Sequence, residues 1–164
     1  MKSQTITRIN SPASTVFLWL EDNNRLKKWV PNLAEDEPIS DTPEKIGSTF
    51  RQVFLENDRE MEMMGEITAF VENEHMRVNM TGKMFNLDVE YILTAVSKTQ
   101  TDVTQNTKIQ LKGFGKLLTP IMFLTSKFSS KFSSKDPQAD AHEKLKAMAE
   151  SEYLWARQFQ QFSR

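Results

Sequence analysis

The sequence contains no cysteine, so the chain cannot form a disulfide or a metal site with thiolate ligands. It has two histidines, His75 and His142. Neither has a second histidine or a suitably spaced carboxylate on its own element, and their acidic neighbours Glu74 and Glu143 point in other directions. We therefore expect no metal site, and nothing in the sequence suggests a cofactor.

The chain also lacks an excess of charge and a long apolar run. Its formal net charge is −1, whereas recognition of nucleic acid needs a clustered excess of lysine and arginine. No apolar segment approaches the roughly 20 residues that span a bilayer, and the first residues lack the apolar core of a signal peptide. We expect a cytoplasmic protein with one domain, residues 1–164, and no nucleic-acid partner.

Phenylalanine and methionine, by contrast, are abundant, with 11 and 9 copies. Methionine is flexible and polarizable, so it fills irregular spaces in protein cores. It is also common on surfaces that adapt to several ligands. The composition therefore leaves both a filled core and a ligand-facing surface open.

The clearest element is a helix predicted from Asp136 to Phe162. Asp136 and Pro137 form a favourable start, because a side-chain acceptor at the N-cap precedes a residue with fixed φ. Beyond them, apolar residues recur at three- and four-residue spacing, which places them on one helix face. These residues are Ala141, Leu145, Met148, Ala149, Trp155, Ala156 and Phe159. So bulky a stripe requires a covering surface from the rest of the chain.

The beginning of the chain predicts one strand and two short helices. Residues 4–10 alternate in the manner of a strand. Ser11-Pro12 is predicted to open a helix by the same combination of cap and proline, and Asp22 is predicted to start a second one. Pro31 then forces the chain out of the helical conformation.

From residue 33 to residue 111 the hydrophobic pattern has a period of two, which is typical of strands with one buried face. Six strands joined by short turns indicate an antiparallel meander. The element order is then β-α-α-β6-α. We expect an α+β fold in which a curved antiparallel sheet of about seven strands wraps around the long C-terminal helix. The two short helices follow the first strand.

Several short stretches carry a resemblance to a known family. They are residues 6–10, Ser11-Pro12-Ala13 with Val16 and Leu20, Trp29-Val30-Pro31, Gly47 before a strand, and the acidic-aromatic final helix. In this order they resemble the SRPBCC superfamily of START and Bet v 1-like proteins, whose architecture is called the helix-grip fold. More narrowly, they resemble its polyketide cyclase/dehydrase and lipid transport branch. Residues 117–135 depart from the common form of the family.

The resemblance implies a cavity between the sheet and the C-terminal helix that holds a hydrophobic small molecule, such as a lipid or a polyketide-like aromatic. Polar groups on the inward face need partners in the protein, in water or in a ligand. The predicted ligand-binding residues are Trp29, Phe50, Gln52, Phe54, Met61, Met63, Met76, Val78, Leu87, Val89, Tyr91, Gln105, Thr107, Ile109, Phe128, Leu145, Met148 and Trp155. A core that its own side chains close is the alternative.

No catalytic residue is predicted. No serine lies in a strand-turn-helix elbow, and Gly113-Phe114-Gly115 lacks the lysine that follows a phosphate-binding loop. The strand carboxylates, such as Glu60 and Glu62, fall on the outward face, where we expect them to be solvated. Tyr91 is the one inward residue that could donate a proton. A cyclase/dehydrase-type enzyme is therefore one alternative, and a chaperone-activator-like interaction module that docks a basic partner is another.

Residues 117–135 predict a further helix with two different faces. Ile121, Leu124, Phe128 and Phe132 share one face, whereas Lys127, Lys131 and Lys135 form a second row. A basic amphipathic helix of this kind can rest weakly on an anionic membrane surface or act as a lid. Packing of the phenylalanine row over the cavity mouth is the alternative. The sequence does not define an oligomeric state.

Overall fold

The structure is a computed structural model that describes residues 1–56, 58–113 and 137–162. The elements follow each other in the predicted order. They are β1 (Lys2–Ile9), α1 (Ala13–Glu21), α2 (Asn23–Trp29), β2 (Leu33–Ser40), β3 (Thr49–Glu56), β4 (Arg59–Val71), β5 (His75–Gly82), β6 (Phe85–Ser97), β7 (Gln100–Leu111) and α3 (Pro137–Phe162).

The seven strands form one antiparallel sheet in the order β1-β7-β6-β5-β4-β3-β2. Strands β2 to β7 pair with their sequence neighbours, so they form the predicted meander. Strand β1 pairs with β7 and forms one edge of the sheet. The tight turns use left-handed backbone at Asp58 (φ 61°) and Asn73 (φ 64°), a conformation that aspartate and asparagine tolerate well.

Strand β2 lies at one edge of the sheet, and its pairing with β3 is irregular. The register shifts between Leu33 and Glu35 and again between Pro38 and Ser40. Because a β-bulge changes the face on which the following side chains lie, simple alternation does not describe this strand. Glu35 accepts a hydrogen bond of 2.7 Å from Arg51 Nη1 of β3, which ties the edge to its neighbour.

In β5 the period of two separates a buried face from an exposed one. Along β5, Met76, Val78 and Met80 are buried, whereas Arg77 and Asn79 between them are exposed. We call the face that carries these methionines the inner face. Phe17 and Leu20 of α1 belong to the same buried cluster as the inner-face residues. The helices therefore cover the inner face and leave the outer face to solvent.

The two short helices begin in different ways. The Asp22 side chain accepts a 2.8 Å hydrogen bond from the backbone N–H of Arg25, so it caps α2 as predicted. The prediction for α1 was wrong in detail: Pro12 itself occupies the N-cap position, and no side chain caps the helix. The Ser11 hydroxyl is buried and has no hydrogen-bond partner among the described residues, whereas the Ser11 carbonyl accepts a bond from Thr101 Oγ1.

Helix α3 has 26 residues, and its first half lies against the inner face. Ala141, Leu145 and Ala149 are buried, as the spacing predicts. Further along, Trp155 is 60% exposed, so the expectation of a continuous covered stripe was wrong for the end of the helix. A helix of this length extends about 39 Å, at about 1.5 Å per residue, and its end passes beyond the buried cluster. Asp136, the predicted N-cap, lies outside the described residues.

Candidate functional site

The structure places most of the predicted ligand-binding residues at the inner face. Those that are buried are Trp29, Gln52, Met63, Met76, Val78, Val89, Tyr91, Gln105 and Leu145. Those that are only partly buried are Phe50, Phe54, Met61, Leu87, Thr107 and Ile109. Met148 and Trp155 are exposed on α3, so they do not line a closed space with the others. Phe128 lies outside the described residues.

The centre of the inner face is apolar and uneven. A Cβ atom added at Gly65 of β4 would overlap the ring of Phe50, which pairs with it across β3 and β4. The far end of the Phe50 ring therefore occupies the space that a side chain at position 65 would need. Phe50 and its neighbour on the same face, Phe54, remain partly accessible. These large apolar side chains keep some surface exposed to water. An apolar ligand that covered this surface would be bound favourably through the hydrophobic effect.

A buried polar network joins α3 to strands β1 and β7. His142, which is 1% exposed, contacts Gln105 Oε1 at 2.6 Å through Nε2 and Thr7 Oγ1 at 2.9 Å through Nδ1. Gln105 Nε2 donates to Thr107 Oγ1, which also accepts a bond from Gln138 Nε2. Because Gln105 Oε1 can only accept, His142 donates a hydrogen bond to it from Nε2. These groups fix the position of α3 on β1 and β7.

At the other end of the inner face lies a buried carboxyl group that the sequence pattern did not reveal. Asp36 of β2 is 8% exposed and pairs with Gln52, whose Nε2 donates to Asp36 Oδ1 at 3.1 Å. Burial raises the pKa of Asp36, although Gln52, Asn23 and Lys27 oppose the rise. Its second oxygen, Oδ2, makes no hydrogen bond in the described part of the chain. The irregular register of β2 hides this residue, because alternation alone does not assign it to the inner face.

Tyr91 occupies the inner face of β6. Its ring meets the Trp29 ring edge to face, with centroids 6.3 Å apart. Burial alone raises the pKa of the Tyr91 hydroxyl well above its usual range, so this group stays protonated at physiological pH. It can therefore donate a hydrogen bond but does not act as a base.

A cluster of charged and aromatic groups fastens the three helices together. Trp19 Nε1 donates to Glu152 Oε2 at 2.7 Å, and Arg25 Nη2 donates to Glu152 Oε1 at 2.8 Å. The guanidinium of Arg25 also lies 5.6 Å from the centroid of the Trp19 ring. We call Trp19, Arg25 and Glu152 the helix clasp. The sequence pattern did not reveal this role of Trp19, although the indole N–H of a buried tryptophan needs an acceptor.

Ion pairs cover the outer face of the sheet. Arg51 binds Glu35 and Glu62 at 2.7 and 2.8 Å, and Arg77 binds Asp88 through Nε at 2.8 Å. Arginines therefore neutralise part of the outward carboxylates, and Arg51 alone contacts Glu35, Glu37 and Glu62. This pairing argues against a uniformly acidic surface for a basic partner, which was the basis of the interaction-module alternative.

A hollow of about 300 Å³ lies mainly on the outer face of β5, β6 and β7. Its lining includes Asn79, Thr81, Asn86, Asp88 and Lys108. A mostly polar lining of this kind does not suit an apolar ligand. The hollow also does not coincide with the predicted ligand-binding residues, of which it includes only Leu87.

The described residues contain neither a metal-binding cluster nor a membrane-spanning helix. Within residues 1–56, 58–113 and 137–162, no three histidine or acidic side chains come together in a way that could hold a metal ion. No helix in the same part of the chain combines the length and the apolar character needed to cross a membrane.

The architecture is the helix-grip (Bet v 1-like) fold, and comparison with solved structures supports this. The START superfamily protein from Mycobacterium smegmatis is similar with a TM-score of 0.67 and 12% identity, over 94% of this chain and 98% of that chain. The Zhui aromatase/cyclase from Streptomyces sp. R1128 is similar with a TM-score of 0.71 and 12% identity, over 92% and 93% of the two chains. Ara h 8.0201 is similar with a TM-score of 0.65 and 13% identity, over 92% and 98%.

No protein-family model matches the sequence, and no curated protein matches it. The structural neighbours are too distant in sequence to transfer an activity, because one fold hosts many functions. They confirm the predicted fold and its relation to START, Bet v 1-like and aromatase/cyclase structures. The function has to be argued from the inner face itself.

Proposed function

We propose that the protein binds a hydrophobic small molecule, a lipid or a polyketide-like aromatic, between the inner face of the sheet and α3, without catalysing a reaction. One observation carries the proposal: Phe50, Phe54, Met61, Leu87 and Ile109 are large apolar side chains on the inner face that the fold covers only in part. Burial of this remaining apolar surface by a ligand would be favourable, at about 25 cal/mol per Å².

The polar groups of the inner face favour binding over catalysis. Gln105, Thr107 and His142 are engaged with each other and with Thr7, so they hold the helix in place. An enzyme of the cyclase/dehydrase type would need an acid and a base that converge on one substrate atom. Tyr91 could act as the acid, but no base faces it in the described residues at hydrogen-bond distance. We therefore keep the enzyme as the alternative.

Residues 117–135, for which the sequence predicts a lid or a weak contact with a membrane surface, lie outside the described residues. We propose no role for them in the site.

We also propose that residues 1–164 form a single domain, because the two ends of the described chain pack on the same sheet: Met1 bonds to Ile109, and α3 bonds to β7.

A fluorescent apolar probe, N-phenyl-1-naphthylamine, tests the proposal. The wild-type protein should increase the emission of the probe in a saturable manner. Met61→Lys places a charge on the inner face and should weaken binding about tenfold, because a buried charge is unfavourable. Met64→Lys is the matched control, because Met64 lies on the same strand but is 43% exposed on the outer face. Circular dichroism verifies that both variants are folded.

The results separate the alternatives. Probe binding that Met61→Lys and Met64→Lys reduce equally would contradict the proposed site. Native mass spectrometry of the purified protein gives an independent measurement, since a ligand retained from the cell adds a discrete mass. If neither a retained ligand nor saturable probe binding is observed, the protein is not a carrier of apolar molecules.

A further inference from the structure

The hydroxyl group of Tyr91 differs from the other polar groups of the inner face. Tyr91 is 9% exposed, and its strand neighbours across the sheet are Met76 on β5 and Gln105 on β7. Trp29 lies against its ring. The hydroxyl therefore sits in mainly apolar surroundings, where a polar group needs a partner.

The polar groups around Tyr91 are already engaged with other residues. Gln105 uses its oxygen for His142 and its nitrogen for Thr107. The indole N–H of Trp29 donates to the carbonyl of Trp19 at 2.8 Å. Within the described residues, no hydrogen bond to the Tyr91 hydroxyl is formed. The polar groups near Tyr91 thus have hydrogen-bond partners within the protein, whereas the Tyr91 hydroxyl is left to bond to a group from a ligand.

The chemistry of the hydroxyl limits what that partner can be. Desolvation keeps the phenol protonated, so it has a proton to donate. A carbonyl oxygen only accepts hydrogen bonds, and this one donor would satisfy it. A ligand hydroxyl that accepted this bond would find no free acceptor for its own proton among the neighbours named above, and a carboxylate would bury a charge with no cation among them.

We propose that the Tyr91 hydroxyl is the anchor for a carbonyl oxygen, so that the ligand class is an apolar ketone or ester and not a plain hydrocarbon. This inference rests on the proposed function, because it requires an apolar molecule on the inner face. It adds the functional group that the ligand carries and the place where that group binds.

A pair of isosteric probes tests the inference. 2-Acetylnaphthalene carries a carbonyl, and 2-isopropenylnaphthalene replaces its oxygen by a CH₂ group. Both compete with N-phenyl-1-naphthylamine, and the ratio of their Kd values is measured in the wild type and in Tyr91→Phe. Removal of the hydroxyl should shift this ratio about fivefold towards the hydrocarbon, the effect of one hydrogen bond. Tyr153→Phe is the matched control, because Tyr153, the second tyrosine, lies on α3 with Arg157 over its ring.

Infrared spectroscopy supplies a second measurement that does not depend on the variant. A hydrogen bond from Tyr91 should lower the carbonyl stretching frequency of bound 2-acetylnaphthalene relative to its value in an alkane. An unshifted frequency, or a ratio of Kd values that is the same in Tyr91→Phe and the wild type, would overturn the inference while the proposed function stands. Failure of both naphthalenes to bind would instead reject the proposed site itself.

Discussion

Asp36 is a carboxyl group that the fold keeps from water, so its protonation should affect stability. Burial raises its pKa above the ordinary value of 3.8, and the folded state therefore binds this proton more tightly than the unfolded state. The contribution of Asp36 to the free energy of unfolding should fall as the pH rises from about 4 to about 7. Asp36→Asn removes this dependence. The variant should therefore gain stability relative to the wild type over that range.

Urea denaturation at the two ends of that pH range measures the effect. Glu37→Gln is the matched control, because it removes the same charge from the adjacent, exposed position of β2. A difference in stability between Asp36→Asn and the wild type that does not change with pH would contradict the assignment of a raised pKa to this group.

Single residues also show which contacts and positions cannot be predicted from the sequence. Alternation placed Gln52, Met63, Tyr91 and Gln105 at the inner face, and the structure agrees. Alternation could not show that Gln105 is engaged by His142, because that contact joins positions 37 residues apart. It could not place Asp36 either, because the register of β2 shifts before that residue.

At the scale of the elements, the helix clasp holds α3 against α1 and α2. Glu152→Ala should lower the free energy of unfolding by about 1–3 kcal/mol, because the buried indole N–H of Trp19 loses its acceptor and Arg25 loses its carboxylate. Chemical denaturation monitored by circular dichroism measures the change. Glu143→Ala, at an exposed position of the same helix, should change stability by less than about 0.5 kcal/mol.

A loss of similar size in Glu143→Ala would show that helix propensity, and not the clasp, accounts for the effect. Double replacement of Trp19 by Phe and Glu152 by Ala gives a further check. The double variant should lose less free energy of unfolding than the sum of the two single variants, because both single changes remove the same Trp19–Glu152 hydrogen bond.

The helices were easier to predict than their surroundings. Spacing and the proline signal predicted α3, and a side-chain cap predicted α2 correctly at Asp22. The same signal failed at Ser11, whose buried hydroxyl caps no helix and bonds to none of the described residues. Trp155 follows the helical period but lies past the part of the sheet that could cover it. Helical period identifies a face, whereas burial depends on how far the covering surface reaches.

At the scale of the whole molecule, paired carboxylates should make the protein sensitive to acid. Arg77 and Arg8 hold the pKa values of Asp88 and Asp102 below their usual range. The stabilisation from these pairs is present above the ordinary carboxyl pKa and is lost as the pH falls through the lowered values. The double variant Asp88→Asn, Asp102→Asn should therefore lose less Tm than the wild type between about pH 7 and about pH 3.

Thermal unfolding at low ionic strength measures this difference, because salt screens exposed ion pairs. Glu44→Gln is the control, since it removes a charge from an exposed position outside these two ion pairs. Parallel loss of Tm in the double variant and the wild type would mean that these two pairs do not contribute to acid unfolding.

The order of elements was sufficient to predict the architecture of the described residues. One strand, two short helices, six strands in meander and a last helix leave few ways to cover a single apolar sheet face. The ligand could not be predicted in the same way. Its identity depends on which polar groups the folded inner face leaves unpaired, and Tyr91 becomes distinct only once the bonds of its neighbours are known.

Strand β2 has a consequence for how these molecules behave when they are crowded. A free sheet edge can template the addition of a strand from another molecule and so start a cross-β fibre. Pro38 offers no amide proton there, and the register shifts interrupt the ladder. The β2 edge of the sheet is therefore a poor seed for amyloid growth.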